Sequence, residues 1–158
     1  MKITELKTFV VGNPPPHFGG KYWIFTKLTT DTGIEGIGEV YSVPFHPKVV
    51  EAMIDDMFSR HVEGMDPFKI ETLWRRVYSG GFTQRTDIST MGILSGLETA
   101  LWDIIGKALD KPVYELLGGQ VHERLRSYTY LYPQEGDTTD VYMDADLAAE
   151  RAADYAKQ

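Results

Sequence analysis

The chain has 158 residues, 42% of them hydrophobic, 25% charged and 12% aromatic, which is enough apolar surface for a folded core and too much for a disordered segment. A net charge of −7 without any cluster of Lys or Arg excludes a reader of nucleic-acid backbones, and the absence of Cys excludes a disulfide framework or a thiolate metal site. The opening "MKITELKTFVV" scatters charges through its apolar residues, unlike a signal peptide, and no apolar run nears the roughly 20 residues that span a bilayer, so a cytoplasmic protein with no membrane or nucleic-acid partner is expected.

The first forty residues read as strands. "TELKTFVV" runs into "GNPPPHFGG", whose prolines and glycines rule out a helix or a central strand. "KYWIFTKLTT" then brings aromatic and β-branched residues together, and "DTG" turns tightly into "IEGIGEVY". These segments predict a three-stranded antiparallel meander.

From Pro47 the period changes to that of helices. Val50, Met53, Ile54, Met57 and Phe58 recur three and four apart, predicting an amphipathic helix that Gly64 ends. "DPFKIETLWRRVYSGG" predicts a second, with Asp66 as N-cap, Pro67 as first helical residue, Phe68, Leu73, Trp74 and Val77 on its apolar side, and Gly80 and Gly81 as terminators. A third helix is predicted from Ser89 to Leu109. Leu94, Leu97, Leu101, Ile104, Ile105 and Ala108 cover so much of it that it must be central, and Gly92, Gly96 and Ala100, four apart, give it one face of small residues. Asp103 and Lys107 form an i,i+4 pair. Pro112 opens a short turn, "PVYELL", which Gly118 and Gly119 close. Tyr128, Tyr130 and Tyr132 then alternate in "ERLRSYTYLYP" as in a strand, and "ADLAAERAADYAKQ" is helical, with Asp144 or Asp146 as its cap.

"TDTGIEGIGEVY", "SGLETALWDIIGKALDKPVYELLGG" and the following "ERLRSYTY" resemble the mandelate racemase and muconate lactonizing enzyme family of the enolase superfamily, in order over residues 1 to about 133. The resemblance implies an α+β fold: a meander packed on a helical bundle as a capping domain over residues 1–122, then the first strand and helix of a TIM-type barrel over 123–158. It also implies Mg²⁺-assisted removal of a proton α to a carboxylate, with acid, base and metal ligands on barrel strands. Only 26 residues follow Tyr132, against about 250 for a whole barrel, and neither K-x-K nor H-x-H occurs. We therefore assign no catalytic or metal-binding residue to this chain, expect it to end one helix before the first catalytic strand, and expect it to be inactive alone.

In such a family the loops of the capping domain shape specificity. Here they are "GNPPPHFGGKY" and "YSVPFHP". His17, Lys21 and Tyr22 are candidates to reach a hydroxyl or carboxylate, Phe18 and Phe45 to exclude water, and His46 to join them; the alternative is that His17 and Lys21 are solvated, Phe18 anchors its loop, and His46 belongs to the helix start. Arg85 is a candidate partner for a substrate carboxylate or else a surface arginine, and Tyr130 either faces substrate from the first barrel strand or is core. Glu39 is expected to tie the meander to its neighbours. These polar loop residues suit a polyhydroxylated acid, so a sugar-acid dehydratase that forms a homo-oligomer is the expected parent activity, with racemisation or epimerisation, cycloisomerisation, or a non-catalytic self-associating fragment as alternatives.

Overall fold

The computed structural model describes residues 1–15, 17, 19–41, 44–79 and 87–157. The chain divides after Gln120 into two compact units, two residues ahead of the boundary expected from sequence.

In the first unit, β1 (Ile3–Gly12), β2 (Tyr22–Thr30) and β3 (Glu35–Val40) form an antiparallel sheet in the order β1-β2-β3, the predicted meander. Val40 lies opposite Ile24, and Gly12 opposite Tyr22, so the β1–β2 loop and the segment after β3 leave the same end of the sheet. Period-two burial holds along β2, where Ile24, Thr26, Leu28 and Thr30 are buried. On the other face Lys27 pairs with Glu35 at 2.6 Å, and this bond holds the Glu35 carboxyl below its ordinary pKa.

Helix α1 (Pro47–Met57) starts at its proline as expected but does not run unbroken to Gly64. A π-helical turn, Phe58–Val62, follows, closed by the Glu63 N–H donating to the Phe58 carbonyl, and Val62 is fully buried there. Helix α2 (Ile70–Tyr78) begins later than predicted. Asp66 caps a separate turn through the Phe68 N–H, and Lys69, at φ −98° and ψ 46°, separates that turn from the helix, which leaves Phe68 46% exposed rather than in the core. The expected terminators Gly80 and Gly81 lie outside the described residues.

Helix α3 (Ile88–Leu109) is the predicted spine. Asp87 caps it, accepting from the N–H groups of Ser89 at 2.8 Å and Thr90 at 3.0 Å, and Asp110, left-handed at φ 51°, ends it. Ile93, Leu94, Leu97, Leu101, Ile104 and Ile105 are buried against the sheet and the other helices, each contributing about 1.5–3 kcal/mol of hydrophobic stabilisation. Ala108, expected among them, is exposed. The small-residue face has a specific use: it lets β3 lie directly on the helix. A Cβ on Gly38 would stand 1.9 Å from the Gly96 carbonyl oxygen, and one on Gly36 2.1 Å from that of Ala100. Buried Thr26 completes the contact, its hydroxyl lying 3.3 Å from the Gly96 carbonyl and 3.4 Å from that of Gly38. The short helix α4 (Val113–Leu116) follows.

The second unit holds α5 (Ala145–Lys157), capped by Asp144, which accepts from the N–H groups of Asp146 and Leu147. Buried Arg151 anchors that helix to the preceding turn, donating to the Tyr132 carbonyl at 3.2 Å and to Asp137 at 2.8 Å. Residues 123–133, where the sequence reading expects the first barrel strand, pair with no strand among the described residues. A strand exists by pairing with another, and among the described residues nothing pairs with this one; the Tyr132 N–H donates instead to the Tyr130 carbonyl two residues back. Alternation still sets the three tyrosine rings edge to face, 5.9 Å between successive centroids.

Candidate functional site

Five of the candidate residues, His17, Lys21, Tyr22, Phe45 and His46, lie on or beside two segments at one end of the sheet, and their local bonds explain how they are held. The β1–β2 loop closes on itself: the Asn13 N–H donates to the Lys21 carbonyl at 2.9 Å, and the Asn13 side-chain amide to the Gly20 carbonyl at 2.7 Å. Inside it His17 is half-buried and left-handed at φ 62°, with its backbone N–H on the Pro14 carbonyl and its carbonyl accepting from Gly20. Its ring Nδ1 lies 2.6 Å from the Asn13 carbonyl oxygen. Lys21 is exposed and extends from the same loop.

Tyr22 opens β2, and its hydroxyl donates to the Phe45 carbonyl at 3.1 Å, joining the two segments. Phe45 is 47% exposed. His46 is the N-cap of α1, with Nδ1 accepting from the Lys48 N–H at 3.3 Å, so the helix-start alternative describes its bonding. Between the segments lies a cavity of about 230 Å³ lined by Gly19, Tyr22, Trp23, Glu39, Tyr41 and Pro44. A wider hollow of about 480 Å³ beside Trp74, Tyr78 and Glu98 is lined, among the described residues, by none of the candidates.

Sequence reasoning missed Tyr41 and Trp23 as cavity residues and misread Glu39. The Glu39 side chain is exposed and has no hydrogen-bond partner among the described residues, so it does not tie the sheet to its neighbours; it borders the cavity. Alternation along β2 and β3 places Trp23, Phe25 and Glu39 on the face away from α3, and that signal was available in the sequence. Phe18 and Arg85 lie outside the described residues. Tyr130 belongs to the second unit, where it is 59% exposed and pairs in no strand among the described residues. Among the described residues no three His, Asp or Glu side chains converge to hold a metal ion, so the Mg²⁺ implied by the resemblance finds no ligand set there. No described helix is long and apolar enough to cross a membrane.

Residues 18–118, from this loop to the first glycine after α4, match the model of the N-terminal domain of mandelate racemase and muconate lactonizing enzyme. The chain belongs to that family. Two solved structures agree over nearly the whole chain. One, from Burkholderia SAR-1 and described as a candidate mandelate racemase/muconate lactonizing enzyme, is 60% identical at a TM-score of 0.93, covering 99% of this chain and 39% of that one. The other, the mandelate racemase/muconate lactonizing enzyme from Sulfitobacter sp., is 50% identical at 0.92, covering 98% and 39%. Among curated proteins, the D-galactonate dehydratase of Ralstonia nicotianae is 40% identical over 131 residues, 83% of this chain and 31% of that protein. The chain thus spans about a third of the length of the curated relatives it matches. Membership places the meander and α1–α3 as the α+β capping domain of the enolase superfamily, and the two joined segments are the ends of that domain's sheet.

Proposed function

We propose that the chain supplies the substrate-enclosing part of a sugar-acid dehydratase, in which the segments 13–22 and 41–46 cover a polyhydroxylated carboxylate. The observation that carries this reading is the bond from the Tyr22 hydroxyl to the Phe45 carbonyl, which joins two polar segments around a cavity bordered by the Glu39 carboxylate and aromatic rings. Such a mixture suits a ligand with a carbon skeleton and many hydroxyls. The D-galactonate dehydratases among its relatives support the reaction class. In that class the proton on C2 leaves to a base, the C3 hydroxyl departs as water, and the resulting enol becomes a 2-keto-3-deoxy acid. By this reading the base, the acid and the Mg²⁺ site belong to other parts of the enzyme, Lys21 and His17 meet the substrate's polar groups, and the 158-residue chain alone has no turnover.

The test begins with the mass of the protein purified at its native length, where about 17.9 kDa corresponds to this chain alone. That protein is then offered aldonic and aldaric acids in buffer containing Mg²⁺, and the 2-keto product is trapped with semicarbazide. Keto-acid formation from a sugar acid supports the reading. Racemisation or cycloisomerisation without loss of water would replace it with the family's other chemistries, and turnover by purified residues 1–158 would refute the assignment of the reacting groups elsewhere.

A further inference from the structure

Helix α2 carries two stripes. Ile70, Leu73 and Val77 are buried in the core, while Glu71, Trp74, Arg75 and Tyr78, spaced i, i+3, i+4 and i+7, share the next face. Those four residues and Glu98 of α3 line the hollow of about 480 Å³. The Trp74 and Tyr78 rings stand 6.3 Å apart between centroids and tilted by 48°, and Tyr78 is 53% exposed, so aromatic surface that the core does not use borders the hollow. Glu98 accepts from the Trp102 indole N–H at 3.2 Å through one oxygen, which orients the carboxylate and leaves its other oxygen without a partner among the described residues.

Glu71 and Arg75 stand one helical turn apart with opposite charges. At the same spacing Asp56 and Arg60, Asp103 and Lys107, and Lys111 and Glu115 all close into ion pairs. Among the described residues the Glu71 and Arg75 side chains form no ion pair or hydrogen bond, with each other or with anything else. The hollow therefore presents an open guanidinium, open carboxylate oxygens and two ring faces side by side. A ligand with only a positive charge would meet Arg75, and one with only a negative charge would meet Glu71 and Glu98. A molecule with both charges and an apolar part answers every group.

We infer that this hollow is a binding site for a free α-amino acid with an apolar side chain. Its carboxylate accepts from the Arg75 guanidinium, its ammonium donates to the Glu98 carboxylate beside Glu71, and its side chain lies on the Trp74 and Tyr78 rings, whose faces also attract the ammonium. The inference goes beyond the dehydratase reading and uses neither of the segments that Tyr22 joins.

Calorimetry on the protein at native length tests it, with L-leucine as the probe and two truncated forms of the same molecule as controls. Isocaproate lacks the ammonium and isoamylamine lacks the carboxylate. L-Leucine should bind saturably, and each truncated form roughly tenfold or more weakly. R75Q should weaken L-leucine by a similar factor and leave isoamylamine unchanged. E98Q, whose amide oxygen still accepts from Trp102, should weaken L-leucine and isoamylamine and leave isocaproate unchanged. Arg75 is exposed, so R75Q should keep the wild-type melting temperature, which separates lost binding from lost folding. Absence of saturable L-leucine binding in the wild type overturns the inference. So does isoamylamine binding as tightly as L-leucine, which would make the hollow a simple cation site, and so does wild-type affinity in R75Q. The readout is heat of binding, so a protein that turns over no sugar acid yet binds L-leucine in this pattern loses the dehydratase reading and keeps the amino-acid site.

Discussion

Gly38 and Gly96 meet backbone to backbone, so close that a side chain on the strand glycine would penetrate the helix: its Cβ would lie 1.9 Å from the Gly96 carbonyl oxygen and 2.9 Å from the Ala100 nitrogen. No rotamer relieves such a clash, because both obstacles are main chain. We expect Gly38→Ala to cost about 3 kcal/mol or more, at the upper end of overpacking substitutions, by forcing β3 off α3. Gly12→Ala, with nothing within 4 Å of the added carbon, is the control and should change stability by less than about 0.5 kcal/mol. Urea unfolding of the two variants measures the difference, and equal midpoints would refute the close contact.

The cap of α3 predicts a pH dependence. The Thr90 backbone N–H, aided by the Thr90 hydroxyl and Ser89, holds the Asp87 carboxyl below its ordinary pKa against a smaller desolvation effect. A depressed folded pKa contributes stability above the unfolded value, about 3.9 for aspartate, and loses it as pH falls through the folded one. Asp87→Ala should therefore melt lower than wild type at pH 7, and the gap should close as the pH falls below about 3.9. A gap that is constant with pH would show that the carboxylate charge is not what caps the helix.

Tyr22→Phe deletes only the hydroxyl that joins the two segments. A bond of this kind is worth about 1 kcal/mol net, so local opening around Phe45 should rise roughly fivefold while global stability changes little. Amide exchange at Phe45 and His46 reports this directly. Unchanged exchange would mean that the segments are held by other contacts.

All the residues of the main hydrophobic core, from Ile3 to Ile105, lie in the first unit. A shortened chain ending at Gln120 should therefore fold and melt cooperatively. In the second unit Val121, Leu125, Tyr128 and Met143 are each more than 80% exposed. Removing residues 121–158 should accordingly make the protein more soluble and more monomeric. Sedimentation of both lengths measures it, and the same assembly at both would locate self-association in the first unit.

The sequence by itself determined the elements whose causes are local. The "DTG" turn joined two β-rich runs into a hairpin, Pro47 started α1, and Leu94, Leu97, Leu101, Ile104 and Ile105, buried at helical spacing, made α3 central, because turn chemistry and periodicity act within a few residues of chain. The family was legible for the same reason, its motifs being contiguous. Elements whose causes lie far apart in the chain were not. Asp103 and Lys107 read as an ordinary i,i+4 pair, yet Asp103 accepts from the Ile37 N–H at 2.9 Å and Lys107 donates to the Glu35 carbonyl at 2.8 Å, so the pair closes part of the outer edge of β3. The tyrosine alternation at 128–132 predicted a strand, but a ladder needs a second strand, which no local pattern supplies. The candidate histidines followed the same rule. Their presence in the loops was plain from sequence, while the polarity of each ring depended on which backbone group came to lie against Nδ1, and only the folded chain brings those groups together.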